Sequence, residues 1–327
     1  MKTWIKAALC SLALAGASPL VAEPLKIATI APEGSIWHQQ LMQFVQAVHD
    51  SSELELEVFA GGQLGNMADT LKGTLSGRVD IWVGAMPVVS AVTPELGLFN
   101  LPYLFETSTE AKCAVPRMVQ TARDLAGKKY HLLNIAAVGS QDVNAATPIR
   151  TPGDLRGLKI RTAPIPASMA FFQSMGATPQ ALPASETPSA VSTGLVEAVD
   201  FDVVYYALSG VYKTVSYHTP TRHNLNLGAY IVSPRTWAGL SPSQKAALQA
   251  AADSMRFDDN LDAIEVFQNT MLQRVAMDGV TIVELTQDET AQWVQAGRAI
   301  WDQVIAGTRG DAPGFMAALD DARGACR

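Results

Sequence analysis

Apolar and polar positions alternate with two different periods along this chain, and the two periods take turns. "KIATIA" (26–31) is a short apolar run of strand length, followed by a helical pattern through His38 to His49. "ELELEVFA" (53–60) alternates strictly, with Leu54, Leu56 and Val58 on one face and three glutamates on the other. "GGQLG" then breaks the chain, and "NMADTLKGTLSG" reads as a helix closed by Gly77. "RVDIWVGAM" and "YHLLNIAAVG" predict two further strands, and "GLKIRT", "TPQAL" and "EAVDFDVV" a second strand set beyond residue 145. Strands interleaved with helices predict an α/β fold with a mixed sheet in each of two domains.

The longest helical pattern begins at "SPSQ". Ser241 is a good N-cap, Pro242 suits the first helical position, and Gln244 completes a capping box. With neither proline nor glycine before Gly279, the pattern predicts one helix over 241–278. At ~1.5 Å per residue it would exceed 50 Å, enough to run along both domains. A break near Asp258–Asp259 is the alternative.

The N-terminus stands apart. "MKTWIKAALCSLALAGASPLVAEP" joins Lys2 and Lys6 to an apolar run and then small residues, the pattern of a secretory signal peptide over residues 1–22 with cleavage after Ala22. Export to the periplasm is the expectation, with Cys10 discarded in the leader. Loss of Lys2 and Lys6 takes the net charge from −7 to −9. An acidic chain without basic clusters excludes nucleic acid as the expected partner. The remaining cysteines, Cys113 and Cys326, form an even pair in an oxidising compartment. They either join in one disulfide or remain two thiols that never meet.

Catalytic signatures are poor. The chain has no G-x-S-x-G elbow, no H-E-x-x-H, no P-loop and no G-x-G-x-x-G, and its five histidines are scattered singly. His218 and His223 flank "TPTR" and read as braces of a loop. Asp200 and Asp202 alternate on a strand and could serve acid–base chemistry, yet no nucleophile accompanies them. No enzymatic activity is expected. Arg161 is different. It ends the apolar strand of "DLRGLKIRTAP", where a charge needs a partner or water. That partner is either an internal acid, Asp154 or Glu186, or a ligand from outside.

Six segments then resolve the choice by resemblance. "GGQLG", "LSGRVDIWVGA", "NLPYLF", "TPGDLRGLKIRTAP", "MGATPQALPASET" and "STGLVEAVDFD" follow one another as in the periplasmic solute-binding proteins of TRAP (tripartite ATP-independent periplasmic) transporters, which this chain resembles along nearly its whole length after residue 22. The resemblance implies two α/β domains around a ligand cleft. It places domain I at 23–140 plus about 228–265 and domain II at 141–227 plus about 266–327, with the long helix shared. It also implies closure over a solute and delivery to the TRAP membrane permease. Arg161 occupies the position of the arginine that pairs bidentately with the solute's carboxylate.

The departures from the pattern narrow it further. Gln141 stands where many members carry a second arginine, and Asp200-Phe201 replaces a Glu-Asn pair. That combination resembles the subgroup taking 2-oxo or 2-hydroxy acids, in which the solute chelates a cation. The implied metal ligands are Gln141, Asp200, the Phe201 carbonyl and Asn226, with Na+ or Ca2+ equally open, since hard cations take oxygen ligands. Trp37, Tyr103, Asn144, Phe201 and Tyr205 complete the expected ligand set, and Trp82 reads as core. The rivals are a zwitterion or sugar-acid receptor of the same family and, in another class, a periplasmic hydrolase or lyase.

Overall fold

The computed structural model describes residues 23–327, so the signal-peptide reading lies outside the described residues. Nine strands are present: β1 (Leu25–Thr29), β2 (Leu56–Phe59), β3 (Ile81–Ala85), β4 (His131–Ala145), β5 (Lys159–Thr162), β6 (Thr178–Ala181), β7 (Ala198–Phe201), β8 (Tyr217–Val232) and β9 (Thr281–Ile282). They form one sheet in the order β2-β1-β3-β8-β4-β7-β5-β6, with β9 on β8. Pairing is parallel among β1, β2 and β3 and among β5, β6 and β7. It is antiparallel where β8 meets β3, where β4 meets β7, and between β4 and β8.

The chain therefore folds as two parallel α/β halves joined by one antiparallel pair, the mixed α/β architecture of a periplasmic binding protein. The joining strands are long: 15 residues in β4 and 16 in β8. At ~3.3 Å per residue each spans about 50 Å, and the helix Phe257–Met277 runs along both halves with them, placing Leu261 and Ile264 in the core of the first and Val275 in that of the second. The pattern predicted a strand in "YHLLNIAAVG" but missed its continuation to Ala145, and missed β8 altogether. Alternation along β8 builds the core of the first half. Leu227, Ala229 and Ile231 join the layer of Trp82, Leu96 and Phe315, while Tyr230 and Val232 join that of Ile27, Phe44 and Leu248. Phe171, Phe172 and Trp293 fill one face of the second half, and Val199, Tyr206 and Val275 the other.

The predicted helix 241–278 is two helices, Pro242–Ser254 and Phe257–Met277, broken at Met255–Arg256. No glycine or proline marks the break; its cause is tertiary. Asn134 of β4 donates its Nδ2 to the carbonyls of Ala252 (2.6 Å) and Met255 (3.3 Å), taking over the exposed end of the first helix. Arg256 caps the second in extended backbone, and Asp258 and Asp259 occupy its first turn, where the helix dipole favours negative charge. The second helix crosses β4 at Gly139, whose backbone has φ +131°. A Cβ there would meet the flexible end of Gln268 at 2.8 Å, and the positive φ is what calls for glycine.

The disulfide is formed. Cys113 and Cys326, with Cα atoms 5.8 Å apart, tie the C-terminal helix Ala312–Gly324 to the helix Ser108–Ala126. Among the described residues no helix is long and apolar enough to cross a membrane.

Candidate functional site

A cavity of about 460 Å3 lies between the two halves, lined in part by the antiparallel pair of β4 and β8. The first half contributes a mainly apolar wall, Trp37, Met67, Val83 and Val88 with Gly62 and Gly84; the second contributes Arg161, Asp200, Phe201, Asp202 and Tyr205. The floor carries Gln141 from β4 and His223, Asn224 and Asn226 from β8.

The floor owes its chemistry to a bulge. Between the pairs Gln141–Asn224 and Val143–Thr219, β4 advances two residues and β8 five. The extra backbone is held from three directions: Arg222 N donates to Asp142 Oδ1 at 2.9 Å, Tyr103 N to the His223 carbonyl at 2.8 Å, and Tyr103 Oη to the Thr221 carbonyl at 3.0 Å. Arg222 and Tyr103 both adopt positive φ, 44° and 55°. Bulges re-aim side chains beside functional sites, and this one turns His223 into the cavity. Reading His218 and His223 as braces of a loop missed the strand. Pro220, which a strand tolerates at a bulge, was the available signal.

Arg161 is 4% exposed and lines the cavity. Its Nε and Nη2 both donate to the Leu182 carbonyl (3.0 and 2.8 Å), and Nη1 donates to the Asp200 carbonyl (3.1 Å). The guanidinium lies 4.4 Å from the centre of the Phe201 ring. Among the described residues no carboxylate makes an ion pair with it. Asp154 instead accepts from the backbone of its own turn, at Arg150 and Thr151. A guanidinium has five N–H groups; three are committed to carbonyls, leaving one on each terminal nitrogen, the pair that a carboxylate's two oxygens take. Burial pushes the Arg161 pKa down to about 10, against the pull of Asp200 and Tyr205, so it stays charged at neutral pH.

Asp200 does not neutralise it. Its Oδ2 accepts from Thr162 Oγ1 at 2.6 Å. Its Oδ1 stands 3.2 Å from His223 Nε2, within ion-contact range but without hydrogen-bond alignment. Asp202 caps the helix Val203–Leu208 by accepting from Tyr205 N at 3.0 Å. Burial pushes its carboxyl up to about 7; backbone N–H groups of Tyr205 and Val204 oppose this, and the charge of Asp142 adds to it.

Of the residues expected at the site, Trp37, Gln141, Arg161, Asp200, Phe201, Tyr205 and Asn226 line the cavity. Two do not. Tyr103 is spent on the β8 bulge and packs against Gly297, where a Cβ would lie 2.6 Å from its ring. Asn144, three residues beyond Gln141, falls on the other face of β4. It is fully buried there, donating to the Phe201 carbonyl at 3.3 Å and bonded to His218 Nδ1 at 2.8 Å. Trp82 is core, donating to the Met67 carbonyl and Thr70.

Two of the four residues expected to hold a cation also bond within the protein. The Phe201 carbonyl accepts from Asn144, a side chain outside the cavity. Asp200 has one oxygen on Thr162 and the other beside His223. No cluster of three or more acidic, histidine or cysteine side chains suited to a metal occurs among the described residues.

Comparison with known proteins bears on the whole chain. The family model for bacterial extracellular solute-binding protein, family 7, matches residues 27–308. The ectoine-binding periplasmic protein TeaA of Halomonas elongata is 24% identical over 280 residues, 84% of this chain and 82% of that one. The 2,3-diketo-L-gulonate-binding periplasmic protein YiaO of Escherichia coli is 24% identical over 281 residues, 84% and 85% of the two chains. Among solved structures, a TRAP periplasmic solute-binding protein from Chromohalobacter salexigens with bound D-glucuronate superposes with a TM-score of 0.82 at 20% identity, covering 92% of this chain and 99% of that one. The Halomonas elongata ectoine-binding protein gives 0.86 at 21% identity, covering 93% and 100%.

Proposed function

This chain belongs to the bacterial extracellular solute-binding proteins of family 7, and we propose that it is an extracytoplasmic receptor that captures a small organic acid and delivers it to the permease of a TRAP transporter. The observation that carries the reading is Arg161: a buried guanidinium that lines the cavity, has no internal carboxylate in an ion pair with it, and has two N–H groups without a bond to the protein. A buried charge without a counter-charge is costly, and a solute carboxylate supplies one. The solute would touch both walls and so favour the closed arrangement of the two halves.

The rival zwitterion reading needs an aromatic face for the cationic end. Phe201 is the aromatic ring beside Asp200, and Arg161 already occupies its face at 4.4 Å, which leaves Trp37 and Tyr205 among the other aromatic rings of the cavity. The unpaired guanidinium is what supports the acid. The test is isothermal titration with an acid identified by a thermal-shift screen, because a ligand bound only by the native state raises the melting temperature. Arg161→Ala should weaken binding about a hundredfold or more. Arg161→Lys should also weaken it, since an ammonium keeps the charge and loses the planar fork. Wild-type affinity in both variants removes Arg161 from the site and ends the reading.

A further inference from the structure

Strand register sets one aromatic ring against the cation of the cavity. Arg161 on β5 pairs with Val199 on β7, and Phe201 lies two residues beyond Val199. Residues opposite one another, and residues two apart along a strand, share a face of the sheet. Arg161 therefore reaches over its diagonal neighbour, and its guanidinium carbon sits 4.4 Å from the centre of the Phe201 ring.

That ring has little surface left for a solute. Phe201 borders the cavity but is only 4% exposed. Its ring packs beside that of Tyr205, with centres 4.7 Å apart and planes tilted by 54°, and it joins the buried layer of Val199, Tyr206 and Val275. A guanidinium donates hydrogen bonds in its own plane and shows only π-surface above and below it. The carbonyls of Leu182 and Asp200, at the strand ends on either side of β5, take three of its N–H groups in that plane. The ring covers a face and takes none. It leaves the two remaining N–H groups open to a carboxylate, sets the negative centre of its quadrupole against the buried charge, and keeps the plane from tipping off the two carbonyls.

We propose that Phe201 is a positioning residue for carboxylate capture: its ring acts through Arg161, aiming the fork, and not by touching the solute. This role rests on the receptor reading above and names the side chain that prepares Arg161 before a solute arrives. What it requires is a π-face rather than apolar bulk, so leucine and tyrosine should behave differently at this position.

The test has two arms. In the first, protein carrying isotopically labelled arginine is followed by NMR with no solute present. Arg161 should give separate Nη–H signals, recognised by their loss in Arg161→Ala. Phe201→Leu should merge them by freeing the rotation of the group, and Phe201→Tyr should keep them apart. In the second arm, isothermal titration uses pyruvate, succinate, D-glucuronate and benzoate and follows the tightest binder. Phe201→Leu should weaken it roughly tenfold, the range of one desolvated cation–π contact, while Phe201→Tyr restores the affinity. In the Arg161→Ala background, Phe201→Leu should change nothing further. Unchanged Arg161 signals in Phe201→Leu overturn the proposal, as does an equal weakening by leucine with and without Arg161, the mark of direct contact or of general packing loss. Phe201→Met, also without a ring, replaces the leucine variant if that one does not fold. Full, Arg161-dependent affinity in Phe201→Leu would end the proposal and leave the receptor reading intact. Binding of none of the four acids would tell against the receptor reading, while the NMR arm still decides the role of the ring.

Discussion

Two buried arginines sit at opposite ends of the molecule's logic. Arg323, 7% exposed, donates its Nε to Glu110 Oε1 at 2.9 Å, and Arg327 reaches the same carboxylate at 3.3 Å. Beside them the disulfide joins the same two helices. Arg161, 4% exposed, hydrogen-bonds only to carbonyl oxygens and stacks on the Phe201 ring. Burial is alike and pairing is not. A buried charge matched inside the chain belongs to the fold, whereas one matched only by dipoles is left for a partner from outside. The two should therefore fail differently when removed.

The largest effect is expected at the C-terminal clamp. Arg323→Ala leaves Glu110 buried without its main partner and should cost about 3–5 kcal/mol of stability. Solute affinity, measured by titration below the lowered unfolding midpoint, should be unchanged. Arg161→Ala should show the reverse: affinity down about a hundredfold, with the ligand-free melting temperature equal to the wild type or higher, because an unmatched buried charge has been removed. A collapse of ligand-free stability in Arg161→Ala would erase the contrast. Next in size is the disulfide. Cys113→Ser with Cys326→Ser should cost about 2–4 kcal/mol in chemical denaturation, with solute binding intact.

The smallest effect sharpens the electrostatics of the second wall. Asp202 is raised from the ordinary carboxylate range to about 7. Between those two values the folded chain keeps a proton that the unfolded chain has released. The stabilising contribution is full below the ordinary carboxylate pKa and is lost as pH rises through about 7. Asp202→Asn keeps a side-chain cap and removes the titration. It should match the wild type near pH 4 and be more stable at pH 8, by at most about 4 kcal/mol from a rise of roughly three pKa units, and by less once the site relaxes around the charge. Equal pH profiles in thermal unfolding would contradict the burial of an uncompensated carboxyl.

The first half of the chain was the easier to read. β1 and β2, the helices Ile36–Ser51 and Met67–Leu75, and β3 all stand where periodicity placed them, because each pattern has a local cause. β8 resisted, since Pro220 and the polar run around it interrupt the alternation that marks a strand, and a bulge supplies the reason only after folding. The helix break at Met255–Arg256 was invisible for a similar reason. The group that ends the first helix, Asn134, lies 118 residues from the carbonyl it caps.

The site divides the same way. Arg161 and Asp200 stand out in sequence as charges in apolar strands, and both line the cavity. Tyr103 and Asn144 were also expected at the site and are turned elsewhere, while His223 and Asn224 were not expected among the ligand contacts and form part of the floor.

Residue types and their spacing determined the α/β class and set out two distant cysteines and one charged residue at the end of an apolar strand. Tertiary structure decided that the cysteines meet, that no internal carboxylate pairs with the arginine, and which side chains share a cavity. The division follows from range. Periodicity and capping act over a few residues, whereas a cavity and a disulfide exist only once segments distant in sequence have met.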